Sequence, residues 1–154
     1  MESSTDAERE LHWKRLCGVY LNSPTNAGGR TRIEVLDRAA RIELDVHEDL
    51  FHAAQAVHGA HVFKLLDDAA FFAANSIVED VFVLTVSFTV QFMRPASEGV
   101  LTAHGRVTNA SRRVLWADSE VLDAEGRTVA RGSGTFMPSR IALDEKIGYR
   151  APEA

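Results

Sequence analysis

His58-Gly59-Ala60-His61-Val62-Phe63-Lys64-Leu65-Leu66-Asp67-Asp68-Ala69-Ala70-Phe71-Phe72-Ala73-Ala74-Asn75 begins with a turn-forming glycine and continues as an almost unbroken run of good helix formers. The spacing predicts a helix from Gly59 to about Ile77 that is apolar around most of its circumference and therefore largely buried. At about 100° per residue, His61, Lys64, Asp68 and Asn75 share a stripe about 60° wide, a face expected to be solvated or paired. Lys64 stands four residues before Asp68, the spacing of an ordinary ion pair. Asp67 falls outside that stripe, on a face with Ala60, Phe63, Ala70, Phe71 and Ala74, where an ionised carboxylate loses hydration and needs compensation. Either it accepts hydrogen bonds from nearby backbone or joins a buried pair, or it is perturbed because it does chemistry. The first N–H groups of the helix are unsatisfied and electropositive, which suits an oxyanion, and Gly59 lets a carbonyl approach closely. His-Gly before a helix is also ordinary turn chemistry.

Working outward, Thr5-Asp6-Ala7-Glu8 has capping-box spacing, and Trp13, Leu16, Cys17 and Tyr20 recur at helical intervals, so an amphipathic helix leads the chain. Asn22 to Arg30 ends it. Arg32–Leu36 and Ala40–Val46 alternate, with Ile33, Val35, Ile42, Leu44 and Val46 on one side, and Asp37-Arg38 joins them as a hairpin. A loop is expected from Glu48 to Val57. After the central helix the pattern is β: Phe82–Phe92, Gly99–Thr108, Val114–Leu122 and Thr128–Phe136, separated by turn residues. One central helix and about six strands predict an α+β fold, an antiparallel sheet curved around the helix. The expected division is 1–22 leading helix, 31–138 sheet-and-helix domain, and 139–154 tail, the last charged, unpatterned and poorly ordered.

The 154 residues, 45% hydrophobic, suffice for one core and leave no room for a second catalytic domain. A single cysteine, Cys17, excludes a disulfide framework and suits a reducing compartment; it reads as a small buried hydrophobe. No apolar run reaches membrane-spanning length, and a net charge of -5 argues against a nucleic-acid or anionic-membrane binder. The expectation is a cytoplasmic protein. His47, His52, His58 and His61 match no zinc spacing, so no metal is expected, and no Gly-x-Ser-x-Gly elbow is present.

The quoted helix resembles the HGG to LAD segment of PaaI-type hotdog thioesterases. Leu84–Phe88, Arg94-Pro95-Ala96, Glu98-Gly99 and Ala130–Phe136 resemble that family's downstream strands and turns, so the likeness runs from about Arg32 to Met137. It implies a hotdog fold, acyl-CoA thioesterase activity and no cofactor, coenzyme A entering as part of the substrate. It also implies that Asp67, nine positions after His58, is the catalytic carboxylate and that Gly59 supplies the oxyanion donor. The family's Asn or Gln six positions before the motif histidine is His52 here, which can also donate a hydrogen bond, and His58 is a second candidate to assist. The motif's second glycine is Ala60. A hydroxyl found in some relatives one turn after the carboxylate is replaced by Phe71, so both residues bear on substrate fit. Arg94, Arg112 and Arg113 lie in turns, as phosphate contacts for coenzyme A or as solvated residues.

Asp67 would deprotonate a water or attack the thioester directly. A hotdog hydratase would need a different acid–base pair, and an acyl-CoA sensor would keep the pocket without turnover. Gly59 and Asp67 lie about 12 Å apart along one helix at about 1.5 Å per residue. One carbonyl touches both only if the two come from antiparallel copies of the helix, so a homo-oligomer is expected, a dimer or a dimer of dimers sharing its sites.

Overall fold

The computed structural model describes residues 3–154. Helix α1 (Asp6–Leu21) starts at the expected capping box: the Thr5 hydroxyl accepts from Glu8 N–H, and the Glu8 carboxylate takes the Thr5 N–H. Its Leu16 and Tyr20 are buried, Trp13 and Cys17 partly so. Strands β1 (Thr31–Leu36) and β2 (Ala39–Asp45) form the two-residue hairpin across Asp37-Arg38. Arg38 takes a left-handed backbone, φ 59°, and its N–H is held by the Ser76 hydroxyl at 2.9 Å. Helix α2 spans Gly59–Asn75, and strands β3 (Val81–Phe92), β4 (Val100–Ala110), β5 (Leu115–Leu122) and β6 (Thr128–Ala142) follow.

All six strands form one antiparallel sheet in the order β1-β2-β4-β5-β6-β3. The sheet wraps α2 through its small residues. Ala69, Ala70, Ala73 and Ala74 are fully buried, and a side chain at Gly105 of β4 would collide with the Ala69 carbonyl. Ser119 of β5 donates to the Leu66 carbonyl at 2.8 Å, so a buried hydroxyl is satisfied where helix and sheet meet. Ile42, Leu66, Leu101, Val121, Val129 and Phe136 complete the core.

One expectation is corrected. The tail is not an unpatterned extension from residue 139, because β6 continues through Pro138 to Ala142, with Pro138 opposite Val83. β5 stops pairing at Phe136, so beyond it β6 has only β3 as a neighbour, and a residue without an N–H is tolerated there. Farther on, the Tyr149 hydroxyl donates to His12 Nδ1 at 2.7 Å, and Gly18 is a glycine because the Arg150 backbone crosses there. Of the two alternatives for the polar stripe, Asn75 takes the paired one: it is fully buried, donating to the Val78 and Val81 carbonyls and accepting from Val83 N–H at 2.9–3.1 Å. It thereby fixes where β3 departs from the end of α2.

Candidate active site

Asp67 is half-buried on α2 and faces the start of β3, where the Thr85 hydroxyl donates to its Oδ1 at 2.8 Å. Burial raises its pKa above the usual carboxylate range; Thr85 pulls it down, Asp68 pushes it up and Lys64 lowers it. It therefore remains a misplaced charge, compensated by one hydroxyl and, among the described residues, paired with no cation. Its neighbour Asp68 behaves as the helix spacing predicts, paired with Lys64 at 2.6 Å, and Lys64 also donates to Asn26 Oδ1 at 2.7 Å. Burial raises Asp68 as well, with Lys64 opposing.

Beside Asp67 opens a hollow of about 210 Å³ whose apolar wall includes Val19 and Tyr20 of α1, Phe71 and Phe72 of α2, and Phe82 and Leu84 of β3. Phe71 is buried and stacks against Phe82, ring centroids 4.8 Å apart, so it forms the floor where some relatives carry a hydroxyl. A larger groove of about 660 Å³ on the outer face of the sheet has Arg106, Arg131, Asp118 and Glu120 among its lining. It contains neither helix carboxylate, and we assign it no part in the chemistry.

At the start of α2, His58 is the N-cap: its Nδ1 accepts from Ala60 N–H at 3.0 Å, and its carbonyl takes His61 N–H. The remaining ring proton is on Nε2, free to donate outward. Among the described residues no acceptor claims the Gly59 N–H, so it is the open donor of this helix start. His52 is exposed, its Nδ1 accepting from Ala54 N–H at 3.1 Å, and its ring stands 6.3 Å from that of His58. Gly59, His52 and His58 thus cluster in one place and Asp67 with Phe71 in another, about 12 Å along the helix. Ala60 is exposed beside Gly59, and Arg94, Arg112 and Arg113 are exposed in turns apart from the Asp67 hollow. The sequence reading missed Thr85 and the contribution of α1, since both depend on contacts between distant segments.

The fold is the hotdog fold. Over 90% of this chain and 99% of the other, it superposes on the PaaI protein of E. coli, from the phenylacetic acid degradation operon, with a TM-score of 0.79 and 23% identity. A thioesterase family protein of Silicibacter pomeroyi matches over 82% and 96% of the two chains, with a TM-score of 0.76 and 24% identity. Among curated proteins, an inferred esterase of Saccharolobus solfataricus is 25% identical over 101 residues, 66% of this chain and 67% of its own. The model of the thioesterase superfamily matches residues 54–130, half of the chain, and the chain belongs to that superfamily.

Proposed function

We propose that the protein is an acyl-CoA thioesterase in which Asp67 drives hydrolysis and Gly59 of a second copy holds the oxyanion. The observation that carries this reading is the carboxylate itself: half-buried, raised in pKa, and set at the mouth of an aromatic-lined hollow that suits an acyl group. Water attacks the thioester carbonyl while Asp67 takes its proton. The carbonyl oxygen becomes an oxyanion facing Gly59 N–H, the C–S bond breaks, and the thiolate leaves and takes up a proton. The alternative, direct attack by Asp67, passes through an anhydride. Single turnover in labelled water separates them, since only that route puts label into the carboxylate of Asp67 when the anhydride is hydrolysed there. His52 and the Nε2–H of His58 stand beside Gly59 as further donors, and Arg94, Arg112 and Arg113 are available to the phosphates.

A second copy is supported by the exposed edge of the sheet. β3 is a 12-residue edge strand, and Leu84, Val86, Phe92 and Met93 on or next to it are exposed, Val86 and Phe92 at 58%. A long apolar edge invites pairing with another strand. Phe63 on the exposed part of α2 meets Phe88 of the same strand edge to face, which continues the apolar surface toward the helix. The test is thiol release over short, aromatic and long acyl-CoAs. Turnover by the wild type and its loss in Asp67→Asn support the assignment; tight binding without turnover in the wild type would replace it with an acyl-CoA sensor.

A further inference from the structure

The wall of the hollow beside Asp67 passes from exposed to buried residues. Leu84 and Thr85 are exposed and Asp67 is half-buried, whereas Val19, Tyr20, Phe71 and Phe72 are at most 8% exposed. Rings in mutual contact close the buried end. Tyr20 of α1 meets Phe72 edge-on with centroids 5.6 Å apart, Phe72 meets Phe71 at 5.1 Å, and Phe71 meets Phe82 of β3 at 4.8 Å. The floor is thus tied to the leading helix, the central helix and the edge strand. Phe71 holds the decisive place in it. It follows Asp67 by four residues, which puts it on the same helix face one turn farther along. Behind it stands Phe136 of β6, its ring centroid 6.1 Å away, fully buried and not part of the wall of the hollow. The Phe71 ring is therefore the partition between the hollow and the core.

We propose that Phe71 sets the greatest length of acyl chain the protein accepts, at about eight carbons. This rests on the thioesterase reading, which puts the reacting carbonyl at Asp67 and leaves the acyl tail to run inward toward the rings. The limit follows from volume. A cavity of about 150 Å³ holds the six carbons of benzene, so the 210 Å³ here hold about eight. Up to that length each added methylene leaves water for the aromatic wall, which is worth about a fourfold gain in kcat/KM. Beyond it the chain meets Phe71, and further methylenes either stay in water or disturb a packed cluster of rings. The selected substrates are short and medium acyl chains, and long fatty acyl chains are excluded by the Phe71 ring.

The test measures thiol release by the full chain over straight-chain acyl-CoAs from acetyl to palmitoyl, beside calorimetric affinities for the matching S-alkyl-CoA thioethers, which cannot be hydrolysed. In the wild type both quantities should rise about fourfold per methylene up to about eight carbons and fall at least about tenfold by twelve. Phe71→Leu removes three carbons from the floor and keeps it apolar, so the turning point should move out by about two carbons. Phe71→Ala removes six and should move it by about four. The wild-type profile needs no variant, and Phe71→Leu, the milder exchange, covers the case in which Phe71→Ala fails to fold. A rate and an affinity that rise smoothly to sixteen carbons would overturn the proposal. So would a turning point that stays at the same length in folded Phe71→Leu. A turning point in thioether affinity that moves with Phe71, without thiol release from any substrate, would remove the thioesterase assignment and leave the length limit standing.

Discussion

Replacing Asp67 and Asp68 separately by asparagine sets two adjacent carboxylates against each other, one assigned to chemistry and the other to structure. The Asp67 amide keeps an oxygen for the Thr85 hydroxyl, so the fold loses no contact there. What disappears is a base, and removal of a positioned general base costs about 10²–10⁴ in rate. A thousandfold loss in kcat/KM corresponds to about 4 kcal/mol of transition-state stabilisation. Because burial raises the Asp67 pKa in the folded state, the native protein holds this proton more tightly than the unfolded chain does. Stability is therefore lost as pH rises from the ordinary carboxylate value through the raised one, and at neutral pH the charge is a burden that asparagine relieves. Asp67→Asn should melt no lower than the wild type. Asp68→Asn instead strips Lys64 of its carboxylate, in a pair whose side chains are 21% and 30% exposed, respectively, for Asp68 and Lys64. Its worth lies between that of surface and buried pairs, about 1 kcal/mol, or about 3 °C in Tm for a chain of this size. Its thiol release should stay within a few-fold of wild type. Steady-state kinetics and thermal melts on both variants decide the matter. Equal rate losses in two folded proteins would refute the division of roles.

Thr85→Val removes the hydrogen bond that lowers the Asp67 pKa, so the acid limb of the pH–rate profile should move to higher pH; an unmoved limb would separate Thr85 from the working carboxylate. Asn75→Ala deletes three hydrogen bonds that tie α2 to the segment leading into β3 and should cost about 2–4 kcal/mol by denaturant titration, with activity per folded molecule retained. His12 is buried with its pKa lowered, chiefly by burial, so it contributes stability that is present above its ordinary value and is lost as pH falls through the depressed one. Hydrogen-exchange protection factors on α1, corrected for the intrinsic pH dependence of amide exchange, should fall on acidification in the wild type and lose that dependence in His12→Gln.

The parts that could be read ahead of the structure are those written in local spacing. The capping box at Thr5 and Glu8, the turn at Asp37-Arg38 and the displacement of Asp67 from the polar stripe are each contained in one short, continuous stretch of sequence. What escaped depends on segments that meet only in the folded chain. Thr85 reaches Asp67 from 18 residues away, and Tyr149 reaches His12 from 137. Pro138 reads as a strand terminator, yet it lies where β6 no longer has a partner on one side. Asn75 was placed on the correct helix face, but that face turns inward at the end of α2, and the amide is polar in order to satisfy backbone. Nor does local pattern show that α1 and the loop after it wall the Asp67 hollow, because those contacts join the leading helix to the central one.

The claim that Asp67 of one chain works with Gly59 of another is tested most directly in mixed dimers. Gly59→Pro deletes the N–H that no acceptor among the described residues claims at the helix start. Proline is favoured at this first helical position, and the preceding His58, at ψ 137°, already has the backbone a following proline requires. A Cβ there meets only the ring edge of Phe92, at 3.3 Å. Gly59→Pro should lose about 10²–10³ in rate while remaining folded. A dimer with one Asp67→Asn chain and one Gly59→Pro chain, purified by two different tags, has one site with both groups intact and one with neither. The account predicts about half the thiol release of a wild-type dimer from this mixture of two inactive parents. Mixed dimers as inactive as the parents would contradict it.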